Sequence, residues 1–385
     1  MPGAALLLVA LSFVLAVPLT LLARALGHRL SALDSAGVKG QVKAAVRRVP
    51  NTGGVAIFWS FALPLALALV LVRVRPDLVL RLAPGLEPHL PGLVGVAGKA
   101  WVMLGAALVL HVMGLIDDRR ALPAIPKLTV MLGVALCACW LTDTRVLTML
   151  DGPAHGAWLS LVLSTLWIVA ITNAMNFLDN MDGLSPGVGA ICAAFFLTAA
   201  LVAPVPQWFI AACLALLLGA LLGFLVFNFP FGRRGATIFQ GDGGSLVVGF
   251  LLAFLSIRIT YLPTDAPGHA LFPALFTPLV ILAIPLYDFA SVTLIRLSQG
   301  KSPFVGDLQH FSHRLVRHGL SRRSAVLVIY GCTAVTAIAG VALPSLRPWQ
   351  GALALLQTAL VLLVLGLYEW SRRGDSRTEA EGGAR

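Results

Sequence analysis

The chain has 385 residues, of which 58% are hydrophobic and 12% are charged, and its mean hydropathy is +0.89. This composition excludes an ordinary soluble globular protein and predicts an all-α, polytopic integral membrane protein. In a soluble chain the net charge of +11 would suggest a nucleic-acid partner. Because no basic helix with interleaved aromatic residues occurs, we expect no nucleic acid, and we assign the positive charge to cytoplasmic loops and an anionic ligand.

Apolar runs of roughly 20 residues are long enough to cross a bilayer as helices. The first run has no basic residue before it, which favours a membrane span over a signal peptide. We predict that residues 1–371 form a single transmembrane domain and that the charged stretch 372–385 forms a disordered cytoplasmic tail. We predict about eleven spans, at residues 4–24, 53–73, 95–116, 126–143, 156–176, 187–204, 208–227, 244–262, 270–295, 324–343 and 349–370.

Loop charges predict the orientation of these spans. The loops 24–48 and 296–323 are the most basic, and the positive-inside rule places both in the cytoplasm. With eleven spans, the N-terminus then lies outside and the C-terminus inside. All polar clusters fall on the predicted cytoplasmic face, and we expect none at the other face.

The stretch 173–184 places three Asn and two Asp directly after an apolar run. Ionisable groups at a membrane boundary are costly and suggest function. Asp179 and Asp182 are three residues apart, so on a helical turn they share a face. They could bind Mg²⁺, a sugar or a base; the alternative is a polar helix end capped by Asn and Asp.

The pair Asp117-Asp118 ends the third predicted span. Adjacent carboxylates repel each other, so they favour a shared proton or a cation. Arg119, Arg120 or a metal could supply the positive charge, and Lys127 could reach the same interface. The alternative is a solvated helix end.

Three glycines, Gly241, Gly243 and Gly244, surround Asp242. They would let the backbone approach a ligand closely, while the carboxylate offers a hard oxygen to a metal. The pattern is not a Walker A loop, because the lysine is missing. A glycine-rich turn without a ligand is the alternative.

Two basic stretches could bind phosphate groups. Arg47-Arg48 precedes a Pro- and Gly-containing entry to the second span, although a simple membrane anchor would look similar. His310, His313 and Arg314 lie in the most basic loop and suit a diphosphate. Asp288 lies within the ninth predicted span, where a buried acid predicts a polar contact.

Four of these stretches together resemble the polyprenyl-phosphate N-acetylhexosamine-1-phosphate transferases. They occur in the family's order and on one predicted face. The spacing His-x-x-His-Arg is similar to the branch that makes lipid-linked GlcNAc-type sugars. Two positions depart from the family pattern: Ser312 stands where His is common, and Arg47-Arg48 stands in place of the usual Arg-Lys-x-His. These departures leave the identity of the sugar open. The matching stretches are Asp117-Asp118, Asn173–Leu184, Phe239–Ser245 and His310–Arg314.

The resemblance implies a bacterial cytoplasmic-membrane enzyme that transfers a sugar-1-phosphate from a UDP-N-acetylhexosamine to a polyprenyl phosphate and releases UMP. It also implies Mg²⁺, with Mn²⁺ as an alternative, and it allows a homodimer in the membrane lipid. The residue roles it implies are catalysis for Asp117 and Asp118; metal binding for Asp242 and Asn176; nucleotide-sugar binding for Asn173, Asp179, Asp182, Gly241, His310, His313 and Arg314; and lipid-phosphate binding for Arg47, Arg48 and Lys127.

Two other functions remain open at this point. One is the peptidoglycan enzyme of the same family, whose donor carries a pentapeptide. The other is an ion-coupled transporter, which the position of the acids disfavours, since transporters place binding groups near the bilayer midplane. The sugar, the polysaccharide pathway and the lipid length are not decided by the sequence.

Overall fold

The computed structural model describes residues 2–34, 47–82, 84–152, 156–203, 205–232, 235–259, 273–302 and 307–382. In these residues the regular structure is helical, apart from two isolated bridges. The helices are α1 Pro2–Arg29, α2 Gly53–Val74, α3 Pro76–Leu82, α4 Leu90–Arg119, α5 Ala124–Thr142, α6 Trp158–Phe177, α7 Leu184–Val202, α8 Trp208–Asn228, α9 Asp242–Arg258, α10 Thr277–Ile281, α11 Ala283–Ser298, α12 Phe311–Arg317, α13 Arg322–Ala342 and α14 Pro348–Gly382.

Within the described ranges, nine helices are long and apolar enough to cross a membrane. Their outward faces carry many exposed leucines and valines, as expected for surfaces that contact lipid. The all-helical, multi-pass prediction is therefore confirmed. The nine candidates are Gly3–Arg29, Gly53–Val74, Gly85–Arg119, Ala124–Thr142, Trp158–Phe177, Leu184–Val202, Trp208–Asn228, Arg322–Ser345 and Pro348–Glu369.

The other two predicted spans have a different form in the structure. The span 244–262 corresponds to α9, which has only 17 residues. The described part of span 270–295 is two helices, α10 and α11, interrupted at Leu282. Pro285 has no N–H to donate to the carbonyl of residue 281, which accounts for the interruption. The total of eleven spans and the positions of the two termini stay predictions.

Helix α9 lies at the centre of the bundle. Every residue from Gly243 to Ser256 is buried, and α9 packs against α2, α4, α6 and α7. A short helix with no lipid-facing side does not need the full length of a span. At the periphery, α1 packs closely on α8: a Cβ on Gly219 would lie 2.2 Å from the carbonyl oxygen of Val9.

Three helices connect two polar ends of the bundle. At one end, Asp242 of α9 contacts Lys127 of α5 and Asn176 of α6, and Lys127 also contacts Asp117 at the C-terminal end of α4. We call this the site end. The opposite termini of α5, α6 and α9 form the far end.

The last helix includes most of the predicted tail, since α14 runs from Pro348 to Gly382. The division of the chain at residue 371 stays a prediction.

Candidate active site

Glycines bring the start of α9 against α2 and α4. A Cβ on Gly54 would lie 2.3 Å from the backbone nitrogen of Gly244, and a Cβ on Gly114 would lie 2.4 Å from that of Gly243. Gly241, just before α9, has a φ of +69°, which favours glycine. These positions let three helix ends converge on Asp242.

The entry to α2 is hydrogen-bonded to the loop before α9. The N–H of Gly53 donates to the carbonyl of Phe239 at 2.9 Å, and the N–H of Gly54 donates to that of Gln240 at 2.8 Å. The N–H of Phe239 in turn donates to the carbonyl of Pro50 at 2.8 Å. Two stretches almost 190 residues apart in the sequence therefore form one platform.

Asp118 caps helix α9 from the end of α4. Its carboxylate accepts the backbone N–H groups of Asp242 at 2.9 Å and Gly243 at 3.1 Å. The side-chain amide of Asn51 donates to the same carboxylate at 2.7 Å. A carboxylate at a helix N-terminus satisfies free N–H groups and opposes the positive end of the helix dipole. The structure thus gives Asp118 a direct part in fixing Asp242.

Lys127 bridges two of the predicted acidic residues. Its ammonium group lies 2.7 Å from the carboxylate of Asp117 and also donates to Asp242. The other oxygen of Asp117 accepts the N–H of Leu122 at 2.6 Å. The side chains of Lys127, Asp117 and Asp242 are 16%, 13% and 26% exposed, so a small ligand can reach the group that they form.

Asn176 joins this group, whereas Asn173 does not. The amide nitrogen of Asn176 donates to Asp242 at 2.8 Å and to the hydroxyl of Ser245 at 2.9 Å. The amide of Asn173 donates to the carbonyl of Val169 in its own helix at 2.8 Å. In this structure the binding role predicted for Asn173 has no contact with the carboxylates to support it.

Asp179 adds a fourth carboxyl group at the site end. Loss of hydration and, next, the negative charge of Asp242 together raise its pKa to about 8, against a smaller opposing effect of a hydrogen bond from the backbone of Gly241. Asp179 therefore carries a proton at neutral pH. This proton lowers the total negative charge of the carboxyl groups at the site end.

Arg47 and Asp182, both predicted to bind ligand, bind each other. The guanidinium group donates to both carboxylate oxygens of Asp182 at 2.8 Å and lies over the ring of Phe239 at 5.1 Å. Asp182 also accepts the N–H of Ala236 at 2.8 Å. This pair joins the segment before α2 to the loop before α9, while Arg48 is exposed.

The predicted histidine loop lies beside the turn that follows α6. The ring of His310 is edge-on to that of Phe177, with the centroids 5.5 Å apart, and the hydroxyl of Ser312 donates to Asn180 at 2.5 Å. Lost hydration and nearby positive charges, that of His310 foremost, lower the pKa of His313 to about 4. His313 is therefore neutral at pH 7.

Arg314 is buried in a network of its own. It forms an ion pair with Glu369 of α14 at 3.0 Å and donates to the hydroxyl of Ser291 at 2.8 Å. Glu369 also accepts the hydroxyl of Tyr287 at 3.1 Å. In this arrangement Arg314 ties α12 to α14, and its diphosphate contact stays a prediction.

Sequence reasoning assigned no role to two residues that position the site. Asn51 bonds Asp118, and the Nδ1 of His111 lies 2.7 Å from the carbonyl oxygen of Gly243. His111 is 2% exposed and stacks on Phe58. The sequence signal for His111 was a lone histidine within an apolar span, which suggests a functional or positioning role.

The far end carries a polar cluster that contradicts our expectation of none outside the site face. Arg145 contacts Asp143 at 2.8 Å, and it also contacts Asp151 and the hydroxyl of Ser160. Arg258 of α9 donates to the hydroxyl of Thr144 at 3.1 Å. We call Asp143, Arg145, Asp151 and Arg258 the far-end cluster. The prediction was wrong because Asp143, Arg145 and Asp151 lie in a short loop in which the two acids outnumber the one base, so the loop gives no basic orientation signal.

The fold and the site end define the class: a multi-pass membrane protein with a carboxylate-rich site where its helices end. The profile of glycosyl transferase family 4 matches residues 100–260. A decaprenyl-phosphate N-acetylglucosaminephosphotransferase of Mycolicibacterium smegmatis is 30% identical over 352 residues, 86% of this chain and 80% of that protein. The protein of the same name in Mycobacterium tuberculosis is 32% identical over 307 residues, 74% of this chain and 73% of the relative.

A Bacillus subtilis protein, named as a probable undecaprenyl-phosphate N-acetylglucosaminyl 1-phosphate transferase, is 33% identical over 247 residues. That match covers 63% of this chain and 65% of the relative, slightly less than two thirds of its length. The chain belongs to glycosyl transferase family 4, and it is a membrane-bound transferase.

Proposed function

We propose that this protein transfers N-acetylglucosamine-1-phosphate from UDP-GlcNAc to a polyprenyl phosphate, such as undecaprenyl phosphate, and releases UMP. The observation that carries the proposal is the convergence of Asp117, Lys127, Asn176 and Asp242 at the site end. The relatives are named for this reaction. A polyprenyl chain would lie in the bilayer with its phosphate at the helix ends, where these side chains lie.

In the proposed reaction an oxygen of the lipid phosphate attacks the β-phosphorus of the nucleotide sugar. The bond from that phosphorus to the bridging oxygen breaks, and UMP leaves with the electron pair. Such transfer depends on positioning and charge neutralisation more than on covalent help. Because a phosphomonoester loses its second proton near pH ~6, the attacking group is already anionic, and Asp117 is needed to orient it rather than to deprotonate it.

The donor set at the site end fits Mg²⁺, with Mn²⁺ as an alternative. Among the described residues, no group of three or more His, Cys, Asp or Glu side chains could hold a metal alone. Mg²⁺ typically takes one or two carboxylates and completes its shell with substrate phosphates and water. Asp242, with Asn176 and Asp117, would hold the ion, which would supply charge neutralisation at the diphosphate. The bridge of Lys127 to both carboxylates supports this proposal, since it places a positive charge at the same position.

We assign the remaining polar residues by their neighbours. Asp118 fixes the start of α9 and thereby the direction of Asp242. Lys127 offers an ammonium to the lipid phosphate from the same face. Asp179, protonated at neutral pH, can donate a hydrogen bond to the nucleotide sugar. The ring of His310 contacts Phe177 at the end of α6, and from this position it can donate to the diphosphate.

We further propose that the site end faces the cytoplasm of a bacterial cell, in its inner membrane. Each of the strongly basic loops 24–48 and 296–323 has a described residue at the site end: Arg47 contacts Asp182, and His310 contacts Phe177. This position supports a cytoplasmic site end under the positive-inside rule. A lipid-linked sugar phosphate made there would be the first membrane intermediate of a cell-envelope polysaccharide.

The test is a transfer assay with purified protein, Mg²⁺ and undecaprenyl phosphate. Radiolabelled UDP-GlcNAc and UDP-MurNAc-pentapeptide are offered separately, with Asp242→Ala as the control variant. We expect label in the lipid phase from UDP-GlcNAc, and loss of that label in Asp242→Ala. Label from the pentapeptide donor alone would assign the chain to the peptidoglycan branch. Label from neither donor would refute the proposed substrate.

A further inference from the structure

A buried carboxylate outside the proposed catalytic group holds His310. Asp288 of α11 is 0% exposed. One of its oxygens lies 2.9 Å from the Nδ1 of His310, and the other accepts the N–H of Phe311 at 2.5 Å. Both oxygens are therefore engaged at the point where α12 begins. The carboxylate fixes the ring and the backbone that carries it.

Within the described residues, His310 is the ion-pair contact of Asp288. A buried carboxylate is costly unless it is paired. The charge of Arg314 also acts on Asp288, but the guanidinium group of Arg314 contacts Glu369 at 3.0 Å. The direct contacts of Asp288 therefore go to the ring of His310 and to the backbone beside it.

His310 is also close to the proposed catalytic group. Its ring is edge-on to Phe177 at 5.5 Å, and Phe177 follows Asn176, whose amide bonds Asp242. The bond from Ser312 to Asn180 holds α12 on the same turn. Because Nδ1 is bound to Asp288, Nε2 is the ring nitrogen left for a ligand.

We propose that Asp288 is a positioning residue for the transferase reaction, acting through His310. Its carboxylate accepts the hydrogen on Nδ1 and orients the ring, so that the imidazolium form of His310 can donate Nε2–H to the diphosphate of the nucleotide sugar. A carboxylate that binds one ring nitrogen sets the tautomer and orientation of the other. The inference rests on the proposed function, because it needs a diphosphate substrate at this end of the bundle.

The test is a double-mutant cycle of Asp288→Asn and His310→Ala, measured as kcat/KM for UDP-GlcNAc and as UMP affinity. Asp288→Asn is nearly isosteric and can still accept the N–H of Phe311. We expect each single variant to lose on the order of 10²-fold in kcat/KM. The double variant should be no worse than His310→Ala, since a group that acts through His310 has no further effect without it. Asp288→Glu, which keeps the carboxylate, should recover part of the loss.

Glu369→Gln is the matched control. This carboxylate is also buried and pairs with Arg314 instead of His310, so its removal should give a loss that multiplies with that of His310→Ala. Thermal unfolding of every variant separates folding defects from lost positioning, and Asp288→Glu serves if Asp288→Asn does not fold. If the loss in kcat/KM of the Asp288 variants multiplies with that of His310→Ala, this inference is overturned while the proposed function stands. A wild-type protein that neither binds nor uses UDP-GlcNAc would overturn the proposed function and this inference with it.

Discussion

The two polar ends of the bundle differ in how their charges are balanced. In the far-end cluster two arginines lie among two aspartates, and Arg145 contacts both Asp143 and Asp151. At the site end, among the described residues, the ammonium of Lys127 contacts the carboxylates of Asp117 and Asp242, and the carboxyl groups of Asp118 and Asp179 lie close to Asp242. The helices α5, α6 and α9 reach both ends, so the difference lies in the side chains and not in the scaffold.

The comparison separates a structural cluster from a site. A balanced set of ion pairs holds the loop between α5 and α6 in place and requires no further partner. Charged carboxylates at short distance raise the free energy of the folded state unless a cation or a proton compensates them. We therefore expect the site end to favour a cation, whose charge would attract the phosphates of a substrate.

The largest effect should come from removing one charge at the site end. We expect Asp242→Asn to lower transfer by at least about 10³-fold, since electrostatic groups at a reacting centre contribute effects of this order. The same substitution at the far end, Asp143→Asn, should change transfer by less than about twofold, because Asp143 is 69% exposed and its loss costs little. Transfer assays on both variants check this, and equal losses would remove the distinction between the two ends.

Asp118 should affect both stability and activity. Asp118→Ala removes the acceptor for two N–H groups of α9, and loss of a cap costs roughly 0.5–2 kcal/mol. A misplaced Asp242 should also lower transfer on the order of 10²-fold. Thermal unfolding and transfer are measured together, with Asp118→Asn as the milder variant. A variant that is inactive yet fully stable would show that Asp118 has a chemical role only.

Arg145 should affect stability alone. Arg145→Gln leaves the partly buried Asp151 without its cation, which should cost roughly 1.5–3 kcal/mol. The folded fraction should keep its transfer rate, because the substitution lies at the far end. The measurement is the midpoint of thermal unfolding, followed by transfer per folded protein. A large loss of rate in the folded protein would couple the two ends.

The remaining expected effect is a pH dependence of stability from Asp179. Its folded-state pKa is raised to about 8, whereas an unfolded Asp titrates near ~3.9. Folding therefore favours the protonated form, and this contribution is fully present below about pH 4 and is lost as pH rises through about 8. In metal-free buffer the unfolding temperature of the wild type should fall over this window. Asp179→Asn should flatten the curve relative to Asp143→Asn; identical slopes would contradict the assignment.

Much of the site could be predicted from polar residues placed beside apolar runs. Asp117, Asn176 and Asp242 converge as expected because each ends or begins a helix at the same face. The pairing of Arg47 with Asp182 could not be predicted, since the two residues are 135 positions apart and each alone resembles a ligand-binding group. The capping of α9 by Asp118 depends on contacts between helix ends that no sequence pattern records.

Helix lengths show where hydrophobicity alone is insufficient. Nine predicted spans appear as long apolar helices in the described residues, because their outer faces meet lipid. Helix α9 is surrounded by protein and is shorter, and Pro285 accompanies an interruption within the ninth predicted span. Apolar composition does not distinguish a buried central helix from a lipid-facing one.

The most direct measurement follows both parts of the donor in one assay. Wild-type protein, Mg²⁺ and undecaprenyl phosphate are incubated with UDP-GlcNAc that is radiolabelled in its β-phosphate and in its sugar. The proposed function predicts both labels in the lipid phase in equal amounts, with one UMP released for each. Sugar label without phosphate label, accompanied by UDP, would show glycosyl transfer instead and would contradict the proposed reaction.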